Sequence, residues 1–328
     1  MNAEENRRPG RGWLLGLGLL IAVTTAVGAC GGDDSGTDDS GADDSGGGLG
    51  FEVEATVEFD AGAEPVALAA LADGGLVVGE RRTGRVRMVT RQGDLVAEPV
   101  ARVAVVAGAD DQRGLLGLAV DGERIYGAWT RAADGRIVVG ELTGGAERLV
   151  WEGPPSSELA NGGHVAFLPD GRLVVGIGDL QEPDRVDDPD APNGKLLGLD
   201  PAGPPDQRPG VLSGGWNNPF AFVVTGEGAV WVADNAPGDD PERIGRGDRP
   251  AERARLPGMR APAALVELGP GRLGLCGYLD GRLTDVDIGG GEPEVGDRST
   301  TGCRTGAVGL GGGRVAVSDG ERVRILGP

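Results

Sequence analysis

Side chains able to do acid–base, metal or redox chemistry are few in this chain, and they are unevenly placed. There is a single histidine, His164. An imidazole changes charge nearest neutral pH, so His164 is the first candidate for a general base or a ligand-contacting group. On a strand it has a second, structural reading, as a polar residue hydrogen-bonded to a neighbouring unit. Glu158 is a more distant carboxylate in the same stretch. The acidic run Glu182, Asp184, Asp187, Asp188 and Asp190 offers oxygens that suit a hard cation such as calcium, or else forms a solvated loop. Three cysteines, Cys30, Cys276 and Cys303, complete the set.

The elements that must hold these groups are short strands. From Asn161 the chain reads as a strand, a turn at Pro169-Asp170-Gly171, a second strand at Leu173-Val174-Val175-Gly176, a polar excursion, and a third strand after Asn193-Gly194. Similar apolar runs occur at Leu76–Gly79, Ile125–Ala128, Val230–Ala233, Leu273–Cys276 and Val315–Ser318. They recur roughly every 40 to 60 residues, the scale of a four-stranded propeller blade. The expected fold is all-β, a six-bladed β-propeller of four-stranded blades. The last blade, Gly306–Pro328, has sequence for about three strands. The alternating segment Phe51–Phe59 is expected to supply the missing outermost strand and close the ring.

Composition agrees. With 63 Gly and 22 Pro among 328 residues, many turns are required and long helices are disfavoured. Only 5 Phe, 2 Tyr and 5 Trp are available, so the core must be mostly Val, Leu and Ala. The excess of 51 acidic over 31 basic residues excludes nucleic acid as an expected partner, because phosphate binding needs concentrated positive charge.

Residues 1–29 read as an export signal, with Arg7, Arg8 and Arg11 ahead of an apolar run and Val27-Gly28-Ala29 before Cys30. Small residues followed directly by cysteine resemble a bacterial lipobox, which implies lipidation at Cys30. Residues 30–50 are a Gly/Asp/Ser tether unable to bury apolar surface. The folded domain is then 51–328, held by lipid at the outer face of a bacterial cell membrane. In that oxidising setting Cys276 and Cys303 are either paired or free, and pairing is the commoner state.

Taken together, several segments resemble the glucose/sorbosone dehydrogenase family, soluble quinoprotein sugar dehydrogenases built as six-bladed propellers around pyrroloquinoline quinone (PQQ). The matching stretches are Glu80–Val86, Arg113–Ala119, Asn161–Asp179, Asn193–Leu197, Asn218-Pro219-Phe220 and Trp231–Asp234. The resemblance implies PQQ and calcium as cofactors and an aldose sugar as substrate. It implies that the loop Asp234–Asp240 holds calcium through the backbone carbonyls of Ala236 and Pro237, with Asn235 beside the cofactor.

At several positions this chain departs from the family pattern. The family's general base, a histidine ahead of the Gly-Gly strand, falls on Ala160, which has no proton acceptor. The arginine that contacts the quinone falls on Asn217, before Asn218; a cofactor-binding lysine falls near Leu279; of a basic pair before the last blade, Arg304 remains. Three functions follow as expectations. The first is a propeller with a degenerate site, acting as a non-catalytic binding module for a sugar or other extracellular ligand. The second is PQQ- and calcium-dependent aldose oxidation at a rearranged site using His164. The third is a calcium-dependent lactonase-like hydrolase.

Overall fold

The computed structural model describes residues 48–145, 147–237, 240–249 and 252–328. The expected export signal, Cys30 and all but the end of the expected tether lie outside the described residues. The first strand, β1 (Glu52–Glu58), precedes six repeated sheets. Blade one contains β2 (Pro65–Ala70), β3 (Leu76–Glu80), β4 (Arg85–Val89) and β5 (Ala101–Arg102). Blade two contains β6 (Leu115–Asp121), β7 (Arg124–Thr130), β8 (Arg136–Glu141) and β9 (Arg148–Pro155). Blade three contains β10 (Gly162–Phe167), β11 (Leu173–Ile177), β12 (Lys195–Leu199) and β13 (Gly210–Gly214).

Blade four contains β14 (Ala221–Val224), β15 (Val230–Asp234), β16 (Arg243–Arg246) and β17 (Arg253–Arg255). Blade five contains β18 (Pro262–Gly269), β19 (Arg272–Gly277), β20 (Arg282–Asp287) and β21 (Glu294–Thr301). Blade six contains β22 (Gly306–Gly311), β23 (Arg314–Ser318) and β24 (Arg322–Gly327), and takes β1 as its fourth strand. The fold is thus the expected all-β six-bladed propeller. No helix among the described residues is long and apolar enough to cross a membrane.

The predicted second strands are the most deeply set. All five residues of β3, β11 and β15 are buried, as a strand covered on both faces requires, and such a strand reads as a continuous apolar run. Each of the six apolar clusters lies between two adjacent blades, built mainly from Val, Leu and Ala, with Tyr126, Trp129, Trp151, Trp216, Phe222 and Trp231 as the large buried exceptions. The core is therefore a ring of interfaces rather than one central mass.

Closure uses the two chain ends. β1 pairs antiparallel with β24, from Glu52 opposite Gly327 to Glu58 opposite Arg322. Its outer side chains are exposed, while Val57 is 3% exposed and packs in the cluster joining blades six and one. A second link ties blades five and six: Cys276 on β19 and Cys303 ahead of β22 form a disulfide, with Cα atoms 5.3 Å apart in the apolar cluster of that interface. The disulfide closes a loop of sequence separation 27. Replacing both cysteines with serine is expected to lower unfolding free energy by about 3 kcal/mol. Urea unfolding with and without reductant checks this, and identical midpoints would contradict it.

Candidate functional site

In every blade the inner strand begins, and the second strand ends, at the same end of the ring, because the two are antiparallel neighbours. That end is the mouth. The topology gathers there the segments Ala160-Asn161, Gly178-Asp179, Asn217-Asn218, Asp234-Asn235, Ala261, Tyr278-Leu279 and Arg304. Residues spread over nearly half of the chain thus come to one face.

The best-connected group is a buried polar network between blades three and four. Asp234, the last residue of β15, is fully buried and accepts backbone N–H groups from Asn217 (3.0 Å) and Asn218 (2.8 Å) through Oδ1. Its Oδ2 accepts the Arg243 guanidinium. Burial pushes the Asp234 carboxyl up, and the amide bonds and Arg243 pull it back toward the charged form. Asn217 donates its side-chain amide to Asp179 (2.7 Å), whose carboxyl burial also raises. Asn218 accepts the Gly162 N–H at 2.9 Å, crossing to blade three. This packing requires glycine at Gly178, since a Cβ there would lie 1.9 Å from the Ala160 carbonyl oxygen.

Ala160, on which the sequence resemblance sets the expected base, carries a left-handed backbone with φ of 54°. The same conformation recurs at Glu64 and Ala261, also just ahead of inner strands. Their carbonyls accept N–H groups just beyond the second strand of the same blade: Arg81 to Glu64 (2.8 Å), Leu180 to Ala160 (3.1 Å) and Tyr278 to Ala261 (3.0 Å). The strain therefore belongs to the way these blades begin. Glu158 is exposed, its carbonyl accepting the Gln112 N–H.

His164 is the third residue of β10 and half-buried. Among the described residues its ring makes no hydrogen bond; it packs edge-on to Phe222, with ring centroids 4.6 Å apart, and beside Phe220 at 6.2 Å. The expected hydrogen bond to the next blade is replaced by an aromatic contact. Crowding by protein atoms still pushes the imidazole down to about 4, so at neutral pH it is uncharged.

The remaining expected residues are on this face but do not converge on one point. Asn235 and Ala236 line a cleft toward blade five, together with Leu279. The Pro237 carbonyl accepts the Asp240 N–H in a turn, and Gly238 and Asp239 lie outside the described residues. Arg304 is exposed, with its guanidinium 5.7 Å from the Tyr278 ring centroid and no carboxylate partner among the described residues. Glu182, Asp184, Asp187, Asp188 and Asp190 are all exposed, and Arg185 and Arg208 take Glu182 and Asp190. Among the described residues no group of three or more His, Cys, Asp or Glu side chains is disposed to hold a metal ion.

Sequence reasoning held Asp179, Asp234 and Arg81 only as members of matching stretches, with Asp234 also opening the expected calcium loop, and gave none of them a part in these polar contacts. Arg81 clamps blade one to blade two through Glu64 and the carbonyls of Asp111 (2.7 Å) and Arg113 (2.8 Å). The available signal was a charged residue at or just beyond the end of an apolar second strand, at Asp179, Asp234 and Glu80-Arg81 alike.

Comparisons with known proteins agree with this fold. The sequence profile of the Glucose / Sorbosone dehydrogenase family matches residues 63–247. An oxidoreductase (glucose dehydrogenase) from Thermus thermophilus is 26% identical, over 84% of this chain and 99% of that one, with a TM-score of 0.68. The PQQ-bound aldose sugar dehydrogenase of Streptomyces coelicolor is 21% identical, over 84% and 97%, with a TM-score of 0.67. The apo-form of the soluble aldose sugar dehydrogenase of Escherichia coli is 19% identical, over 84% and 98%, also at 0.67. No curated protein matches.

The single histidine makes one measurement clean. Its NMR titration is expected to give a pKa near 4, against an ordinary value of 6.5. The unfolded chain then binds a proton that the folded one refuses between these values. Stability should therefore fall as pH drops from 6.5 to 4 and level off below, by at most about 3 kcal/mol. His164→Phe should remove that part of the pH dependence, and an unchanged profile would contradict the burial argument.

Proposed function

Because the chain belongs to the glucose/sorbosone dehydrogenase family, we propose that it is a family propeller turned to binding, with its quinone site degenerate. The observation that carries the reading is the closed network at Asn217: its amide is committed to Asp179 and its backbone N–H to Asp234. An arginine there would present a cation to a ligand; Asn217 presents no charge.

The residues present do not fit a tri-carboxylate quinone. Leu279 is apolar, Ala160 has no proton acceptor, and the network brings two buried carboxylates, Asp179 and Asp234, to the anchoring position. Only Arg304 offers an unpaired cation among the candidate cofactor-binding residues, and it rests on Tyr278 at the surface. Anions are held by converging charge-assisted hydrogen bonds, and a single exposed guanidinium makes a weak anchor. His164 stays in this reading as a neutral imidazole near the mouth, able to donate or accept one hydrogen bond to a bound ligand.

We also propose export and lipid anchoring at Cys30, with the acidic tether linking membrane and propeller. The sequence pattern of residues 1–50 supports this, and the Cys276–Cys303 disulfide suits an oxidising compartment.

The test is a turnover assay of the full chain incubated with PQQ and calcium, using aldoses and an artificial electron acceptor. No turnover above a protein-free control is expected. Sustained turnover abolished by His164→Ala would overturn the proposal and make His164 a relocated base.

A further inference from the structure

We infer that the cleft between blades four and five binds a small zwitterion with an apolar body, the chemistry of an apolar amino acid or short apolar peptide. This rests on the binding-module reading and deepens it by naming a ligand class. The cleft opens at the mouth face, has a volume of about 400 Å³, and is lined among others by Asn235, Asp240, Arg255, Leu256, Met259 and Leu279. That volume is in the range of small-molecule sites.

Its apolar wall is unusual for this molecule. Among the described residues the exposed large apolar side chains are Val53, Leu159, Val211, Met259, Tyr278 and Leu279; Met259 and Leu279 line this cleft, and Tyr278 precedes Leu279 in the chain. Two backbone hydrogen bonds hold their loops side by side: Tyr278 N–H to the Ala261 carbonyl and Leu279 N–H to the Arg260 carbonyl, both 3.0 Å. Left-handed Gly258, with φ of 76°, carries the chain through the turn that presents Met259. Grouped exposed apolar side chains mark binding surfaces more often than scattered ones.

The charges around that wall sort into spent and free. Glu242 is buried, and its two oxygens accept the N–H groups of Ala261 (2.6 Å) and Arg260 (2.9 Å). The Arg260 guanidinium donates to Asp280 at 2.8 Å. Arg255 and Asp240 remain: both are exposed, both line the cleft, and neither pairs with the other or with any described residue. An anion would be drawn to Arg255 and repelled by Asp240, and a cation the reverse. A zwitterion satisfies both, with carboxylate on Arg255, ammonium on Asp240 and its apolar body against Met259, Leu256 and Leu279. The Asn235 side chain, without a partner among the described residues, adds a neutral donor and acceptor.

Calorimetric titration of the full chain with L-leucine and with L-leucyl-L-leucine tests this, the pair separating a free amino acid from a peptide. N-acetyl-L-leucine amide, which lacks both charges, is the control. At least one zwitterion should bind and the control should not. Arg255→Ala and Asp240→Asn should each weaken binding about tenfold or more, and as exposed positions they should leave the fold intact. No binding of either zwitterion by a chain shown folded by circular dichroism would overturn the inference. So would equal binding of the control, or affinity unchanged by both substitutions. Aldose turnover alongside leucine binding would overturn the earlier reading and leave this site standing; absence of both would overturn this site alone.

Discussion

Asp234 is the charge on which the mouth depends. A carboxylate sealed from water is costly unless several donors converge on it, and here two backbone N–H groups and Arg243 do so. Those donors belong to the segment leading into β14 and to β16, so the carboxylate fixes where Asn217 and Asn218 stand. Asn218 reaches Gly162 and Asn217 reaches Asp179, locking blade three to blade four. The polar groups at the Asn217 position are thereby already engaged with one another.

Other junctions at the same face have their own polar staples. Arg81 joins blades one and two, and Glu242 caps the backbone leading into blade five. The disulfide joins five and six, and Ser318 and Thr305 both donate to the Pro65 carbonyl across the ring closure, at 2.6 and 3.0 Å. Between these staples the apolar interfaces are of one kind, short strands of Val, Leu and Ala facing each other. A fold held by such interfaces tolerates change at the mouth, so family membership and catalytic competence are separate questions.

What was legible in the sequence follows from the same division. Each second strand could be read because burial on both faces leaves an uninterrupted apolar run, as at Leu76–Gly79 and Val230–Ala233. The closing strand was legible because Val57 faces the core while its neighbours face water. Contacts between blades were not: the Thr305–Pro65 hydrogen bond spans 240 residues, and no local pattern announces it. The left-handed backbone at Ala160 was hidden for a different reason, since alanine carries no mark of it. His164 could be placed on its strand, but its aromatic neighbours come from blade four. The cleft beside Met259 is assembled from three loops and has no sequence signature.

The central proposal is that the closed network at Asn217 stands in place of a quinone site. Calorimetric titration of the full chain with PQQ in the presence of calcium tests it most directly, with folding monitored in parallel. The account predicts no detectable binding by the folded chain. Tight, calcium-dependent binding would contradict it, and would mean that Asn217 and Asp179 part to admit the cofactor.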